Sequence, residues 1–133
     1  MERRRNGPDD RDPMSLLRDM PALVLLERFP VPVLAIAEDG AILFANAAFA
    51  EMVGSSAEEV TASRFAEIFH DLPAEDSAVM VVRAHADLIV GLRHRDGSLV
   101  RARMSKSALV RGDDPVALAT FTDLTERLWA EEL

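Results

Sequence analysis

The last third of the chain constrains the fold more than any other part. A strand-like run at residues 88–94 leads into Asp96-Gly97, a second such run at residues 99–109 follows, and a third at residues 115–122 ends where the pattern becomes helical. Asp-Gly supplies the positive φ angles of a two-residue hairpin turn, so the first two runs are predicted to pair as antiparallel strands. Asp39-Gly40 predicts a second hairpin upstream. The sequence therefore predicts an antiparallel sheet.

The segment between the two groups of strands is predicted to be helical. Asn46 is a good N-cap for the helix that follows, Gly54 ends that helix, and Ser56 with Glu59 forms a capping-box pattern. Strand-to-strand links this short force antiparallel pairing, and the helices must cover one sheet face, so the fold class is α+β. The predicted strands span residues 31–37, 41–45, 88–94, 99–109 and 115–122, and the longest central helix spans residues 73–86.

Composition excludes several kinds of protein. The 133 residues suit a single domain, and a net charge of −8 is a poor match to nucleic acid. The absence of cysteine excludes disulfides, thiolate haem ligation and the flavin–cysteine adduct. The absence of tyrosine excludes a catalytic or ligand-binding phenol. No Gly-rich phosphate loop or metal-ligand spacing is present, and nothing sets up a catalytic triad, so we expect no enzyme.

The N-terminal part of the chain is predicted to lie outside the core. Residues 1–12 read as a disordered tail whose Arg3-Arg4-Arg5 cluster is either solvated or a contact for a membrane or nucleic acid. Residues 13–29 read as a flanking helix, although Pro21 means that either two short helices meet there or the helix begins there. No secretory signal or bilayer span is visible, so we expect a cytoplasmic protein.

Four motifs in this order resemble those of PAS domains, the sensory modules of many bacterial signalling proteins. The resemblance covers about residues 22–133 and rests on Asp39-Gly40, Asn46-Ala47-Ala48-Phe49, Arg95-Asp96-Gly97 and Asp123-Leu124-Thr125-Glu126-Arg127. It implies a five-stranded antiparallel sheet with helices over one face, a core at residues 30–123, and the start of a C-terminal signalling helix at residues 124–133. Members bind haem, flavins, dicarboxylates, fatty acids or nothing, and pass signals to output domains such as kinases.

Apolar side chains are expected to point between the helices and the sheet, where the family has a small cavity. They either line a pocket for a small apolar or amphipathic ligand or simply close-pack. Arg101 and Arg103 alternate with Met104 and are predicted to face away from it. The candidate pocket residues are Phe65, Phe69, Val82, Met104 and Phe121.

The identity of any cofactor stays open at the sequence level. His85 falls near the end of the long central helix, where haem-binding relatives place their axial ligand. It comes only two residues before Asp87-Leu88, however, and is expected at the rim. His70 and His94 are expected at the surface. Haem is therefore not expected.

The two ends of the chain carry the remaining predictions. The flanking leucines either pack on the open sheet face or form a homodimer interface. By resemblance, residues 123–127, here called the exit segment, form a signalling hinge in which Asp123 pairs with Arg95 or Arg101. Alternatively, Asp123 and Thr125 are only a helix cap. The predicted interface residues are Leu16, Leu17, Leu23, Leu26 and Leu128, and the hinge residues are Asp123, Thr125 and Arg127.

Two functions fit these expectations. The first is a dimeric sensor that responds to a ligand or partner and signals to an output domain, such as a histidine kinase, in a two-component system. The second is a ligand-free dimerisation or protein-interaction module, stand-alone or adaptor. A cavity of about 300 Å³ or more favours the first and a filled core the second. The chain stops shortly after the exit segment, so an output domain has been removed or separate partners take its place.

Overall fold

The computed structural model describes residues 22–73, 77–109 and 115–125. The predicted tail at residues 1–12, the flanking helix before residue 22 and the exit helix beyond residue 125 lie outside these ranges. The flanking helix is described over its last turns as α1 (Ala22–Arg28). No helix among the described residues is long and apolar enough to cross a membrane.

The predicted five-stranded antiparallel sheet is confirmed. Its strands lie in the order β2-β1-β5-β4-β3, and every neighbouring pair is antiparallel. The central position of β5 places the last strand of the chain directly beside the first. The strands are β1 (Val33–Ala37), β2 (Ile42–Ala45), β3 (Ile89–Arg93), β4 (Leu99–Met104) and β5 (Val116–Asp123).

Local capping chemistry sets the helices between β2 and β3. The Asn46 side chain caps α2 by accepting the Phe49 N–H, and Gly54 ends that helix at φ +75°. Ser56 and Glu59 form the predicted capping box at the start of α3. These helices are α2 (Ala47–Val53), α3 (Ala57–Thr61), α4 (Phe65–Ile68) and α5 (Ala78–Ala84).

Two predicted boundaries are wrong. Helix α5 begins at Ala78 rather than at residue 73, because Ser77 is its N-cap and accepts the Met80 N–H at 3.2 Å. Strand β4 ends at Met104 rather than at residue 109. Beyond Met104, the hydroxyl of Ser105 takes the place of a backbone carbonyl as the acceptor for the Thr120 N–H. The regular ladder therefore stops there.

The core lies between the sheet and helices α2 to α5. Strand β4 shows the alternation most clearly, because Ala102 and Met104 are fully buried whereas Arg101 and Arg103 are exposed, as predicted. In β1, residues 33–36 are all buried, so this strand is covered on both faces. Burial of each large apolar side chain contributes about 1.5–3 kcal/mol. This packing fixes β1 and β5, which carry the junctions described below.

Candidate functional site

The five predicted pocket residues meet between the helices and the sheet. Phe65 and Phe69 lie at the two ends of α4, Val82 on α5, Met104 at the end of β4 and Phe121 on β5, and each is at most 4% exposed. The Phe65 and Phe69 rings stack with centroids 4.5 Å apart, and the Phe69 and Phe121 rings are 6.2 Å apart. The sequence thus located a buried aromatic cluster, and a ligand within it stays a prediction.

Phe49 belongs to the same cluster and was not among the predicted pocket residues. Its ring on α2 meets Phe121 edge to face at 5.2 Å and is fully buried. Rings in edge-to-face and stacked geometry stabilise each other beyond their area burial, by about 0.5–1.5 kcal/mol per pair. Its position in the quoted Asn46-Ala47-Ala48-Phe49 motif, three residues after the N-cap, was the available sign.

A polar side chain organises the N-terminal end of the core. Asn46 is fully buried, and its amide group donates to the carbonyls of Leu26, Phe29 and Val31 at 3.0, 3.4 and 2.8 Å. Its oxygen accepts from the N–H groups of Val33 and Phe49, both at 2.9 Å. We call this set the N-terminal junction, because it ties the end of α1 to the start of β1. The sequence predicted the helix cap alone.

The C-terminal end of β5 forms a second junction. The Asp123 carboxylate accepts the Thr125 N–H at 2.9 Å, and the Thr125 hydroxyl accepts the Arg101 N–H at 2.8 Å. The Leu124 N–H donates to the Arg101 carbonyl at 2.7 Å. We call this set the C-terminal junction. Two of the predicted hinge residues, Asp123 and Thr125, therefore hold the exit segment against β4, and Arg127 lies outside the described residues.

Arg95, one of the two cations suggested for Asp123, has another partner. Arg95 lies in the turn between β3 and β4, and its guanidinium is 3.3 Å from the Glu59 carboxylate on α3. The Ser56 N–H, and then the Arg95 charge, hold the pKa of Glu59 below its ordinary value. In the same turn, hydrogen bonds from Ser98 lower the pKa of Asp96. The Arg95–Glu59 pair thus links the β3–β4 turn to α3, and the Asp96–Ser98 bonds lie within the turn.

The two junctions are joined by a short path through the sheet. Pro32 precedes β1, and its carbonyl accepts the Phe121 N–H at 3.1 Å. Strands β1 and β5 then pair along their whole shared length, with Val33 opposite Thr120. Two residues beyond Phe121, β5 ends at Asp123 in the C-terminal junction. The start of β1 and the end of β5 are therefore connected through continuously paired backbone.

Few of the predicted dimer residues fall among the described side chains. Leu16, Leu17 and Leu128 lie outside the described residues, and Leu23 is described only as part of the α1 backbone. Leu26 is half-buried, and its carbonyl serves the N-terminal junction. Apolar side chains that the sequence analysis did not single out are exposed beside it: Val24, Phe29 and Val31 are 41%, 47% and 41% exposed.

The histidines are placed at the surface or in caps. His85 follows α5 as its C-cap and donates from Nδ1 to the Val81 carbonyl at 2.8 Å. His70 is half-exposed and 3.3 Å from the Asp71 carboxylate. The ring of His94 lies against Gly54 at the end of α2, close to where a Cβ at Gly54 would be. Within the described ranges, His, Asp and Glu form no group of three able to hold a metal ion.

Comparisons with known proteins agree with this geometry. A family model described as the PAS fold matches residues 23–124. A PAS domain from a two-component sensor histidine kinase is similar, at 16% identity and a TM-score of 0.63, over 82% of this chain and 98% of that one. A PAS domain of a protein from Desulfitobacterium hafniense matches at 20% identity and a TM-score of 0.62, over 76% of this chain and 99% of that one. Comparison with curated protein sequences finds no match.

A domain from a multidomain signalling protein is a further structural neighbour. It comes from the sensory box sensor histidine kinase/response regulator of Geobacter sulfurreducens. Its identity to this chain is 18% and its TM-score is 0.59, over 83% of this chain and 93% of that one. At such identities, these similarities concern the fold.

Proposed function

The chain belongs to the PAS family, and from this premise we propose that it is a sensory signalling module that relays a signal through its C-terminal segment to an output domain such as a histidine kinase. PAS domains are generally sensory and non-catalytic modules. Two structural neighbours are domains of sensor histidine kinases, which supports an output domain of this kind. Residues 124–133 are then the start of the signalling helix.

The observation that carries the proposal is the continuous path between the two junctions. Asn46 holds the end of the flanking helix α1 against the first residue of β1. The Pro32–Phe121 hydrogen bond and the β1–β5 pairing connect that point to the end of β5. Packed and hydrogen-bonded elements of this kind can carry energetic coupling between two sites, and a measured coupling is the evidence that they do. A signal that moves α1 would then reach the exit segment.

Hydrogen exchange on the Asn46→Ser variant tests the relay. Serine still caps α2 well, but its short side chain loses the carbonyls at the end of α1. We expect the Leu124 amide, which donates to Arg101, to exchange several-fold faster. The amide of Val90 in β3, which pairs with β4 and belongs to neither junction, is the reference amide and is expected to change less. Equal acceleration of both amides, or an unchanged Leu124 amide, would contradict the relay.

A second variant tests the same path from its other end. Thr125→Val removes the hydroxyl that accepts the Arg101 N–H at a half-buried position, so the fold is retained. We expect faster exchange of the Val33 amide, which is bonded to Asn46. The matched control is Ser56→Ala, which removes an exposed helix cap that lies away from the path. The control is expected to leave both amides unchanged relative to Val90.

A ligand-free dimerisation or interaction module is the second candidate. It is favoured by the ring contacts of the aromatic cluster and by the exposed apolar side chains at the end of α1. Phe29→Ser is then expected to weaken a homodimer in sedimentation equilibrium, because it removes apolar area from the interface. Met80→Ser on α5 is the control, since this side chain is 61% exposed but lies on the helical side of the sheet.

Native mass spectrometry separates the two candidates. A ligand-responsive sensor purified from cells is expected to carry extra mass that is lost on denaturation. Bare protein at twice the chain mass favours the dimerisation module. A monomer without extra mass contradicts both the ligand-responsive sensor and the dimerisation module for the isolated chain. That result would assign the function to a partner or a further domain.

A further inference from the structure

A cleft of about 320 Å³ opens at the C-terminal end of α5, outside the aromatic cluster. One wall comes from α5 and the residues after it, and the other from the segment that follows β4. The side chains that line it are Arg83, Ala86, Lys106, Ser107 and Leu109. Its volume is at the lower end of the range for small-molecule sites.

The cleft exists because the chain bulges where β4 ends. The Ser105 N–H donates to the Thr120 carbonyl, and the Ala108 N–H to the Leu118 carbonyl. Between these two hydrogen bonds the segment after β4 advances three residues, from 105 to 108, whereas β5 spans only two, from 118 to 120. One extra residue on one of two paired strands is the arrangement of a β-bulge. At the bulge, two N–H groups of β5 donate to serine hydroxyls. The Thr120 N–H donates to the Ser105 hydroxyl, and the Leu118 N–H donates to the Ser107 hydroxyl.

The hydroxyl of Ser107 has a proton to donate at the cleft. Ser107 is 9% exposed, and its oxygen accepts from the N–H groups of Leu118 and Leu109 at 3.0 and 3.2 Å. The Ser105 hydroxyl donates to the Lys106 carbonyl. Among the described contacts, the Ser107 hydroxyl accepts hydrogen bonds but donates none. A hydroxyl in the wall of an open cleft can donate to an acceptor there, so this group offers a hydrogen bond to a bound molecule.

Positive charge is concentrated beside that donor. Lys106 is exposed at the rim, is the one lysine of the sequence, and belongs to a chain of net charge −8. Arg83 on α5 adds positive potential but has another partner, so it is not required as a ligand contact. Ala86 and Leu109 leave an apolar wall next to the two donors. An ammonium, a hydroxyl proton and an apolar wall together suit an amphipathic anion.

We propose that this cleft binds a small organic carboxylate with an apolar tail. The carboxylate accepts from the Lys106 ammonium and the Ser107 hydroxyl, and the tail lies against Ala86 and Leu109. Two donors suit a monoanion, whereas the excess negative charge of the chain opposes a dianion such as phosphate more strongly. This site goes beyond the proposed relay, because binding there depends on neither the aromatic cluster nor the two junctions.

The test is titration of the whole chain with octanoate, followed by NMR. Because Lys106 is the one lysine, protein labelled with ¹⁵N-lysine gives a single side-chain signal. We expect that signal and the backbone amides of Ala86 and Leu109 to shift saturably at millimolar octanoate. Lys106→Met is expected to weaken binding about tenfold or more, because it removes a charge-assisted hydrogen bond. Leu109→Asp is expected to abolish binding by placing a like charge at an exposed position.

Control ligands and a control variant decide the chemistry. Octanamide keeps the tail without the charge, acetate keeps the charge without the tail, and inorganic phosphate is a dianion. Each is expected to bind much more weakly than octanoate. Arg95→Gln removes a cation in the β3–β4 turn and is expected to leave the affinity unchanged. Absence of saturable shifts, equal binding of octanamide or phosphate, or undiminished binding to folded Lys106→Met would overturn the proposal.

Discussion

Replacement of Asn46 by alanine is the sharpest stability test of the N-terminal junction. The carboxamide makes five hydrogen bonds, three to carbonyls at and after the end of α1 and two from the N–H groups of Val33 and Phe49. Loss of the helix cap costs about 1 kcal/mol. The buried Val33 N–H, left without an acceptor, costs about 1–3 kcal/mol more. With the three carbonyls partly rehydrated, we expect a total of about 3–5 kcal/mol.

Urea denaturation measures this loss. Small domains have a total stability of about 5–15 kcal/mol, so Asn46→Ala is expected to remain folded but marginal. With an m-value of about 2 kcal/mol per molar urea, the midpoint falls by about 2 M. Ser56→Ala is the matched control, because it removes the N-cap of α3 and nothing else from its surroundings. If Asn46→Ala costs no more than Ser56→Ala, Asn46 is merely a helix cap and the junction reasoning is refuted.

Three further predictions concern the β3–β4 turn and the residues that contact it. Because the pKa of Glu59 is lowered in the folded state, by the Ser56 N–H and then by Arg95, its charge stabilises the protein above the unfolded-state pKa. That stabilisation is lost as the pH falls through the folded-state pKa. Glu59→Gln is therefore expected to lower the urea midpoint at pH 7 but not near pH 2. An equal decrease of the midpoint at the two pH values would contradict this prediction. Gly97→Ala, at φ +92° in open space, is expected to cost about 1–2 kcal/mol. Gly54→Ala is expected to cost more in the same assay, because its Cβ would lie 2.5 Å from the His94 ring, and His94→Ala should recover the difference.

Short-range chemistry explains why so much of the fold was predictable. The Asp-Gly turns, the caps at Asn46 and Ser56, and the left-handed Gly54 each depend on atoms within a few residues. Once those turns and caps are placed, the short links pair β1 with β2 and join β3, β4 and β5 in antiparallel order. The position of β5 beside β1 does not follow from those links. The aromatic cluster was found for the same reason, since apolar periodicity marks the inner faces of α4 and β5.

Long-range polar contacts were not predictable from the same patterns. The amide group of Asn46 reaches carbonyls 15 to 20 residues earlier in the chain, and no local pattern indicates such partners. The start of α5 was misplaced for a related reason, because Pro73 and Ser77 are both good helix starts and periodicity does not distinguish them. Arg95 likewise paired with Glu59, 36 residues away, rather than with Asp123.

The early end of β4 follows from which atoms satisfy the amides of β5. The first turn residues after Met104 are Gly112-Asp113-Asp114, so the sequence predicts a strand through to Leu109. A hydroxyl, however, accepts a neighbour's N–H as well as a carbonyl does, and serines two residues apart present two such hydroxyls to one strand. Ser105 and Ser107 do this for Thr120 and Leu118, which lets the backbone bulge without leaving those amides unpaired. In this chain, Ser105 and Ser107 thus mark both the end of β4 and the opening of the cleft.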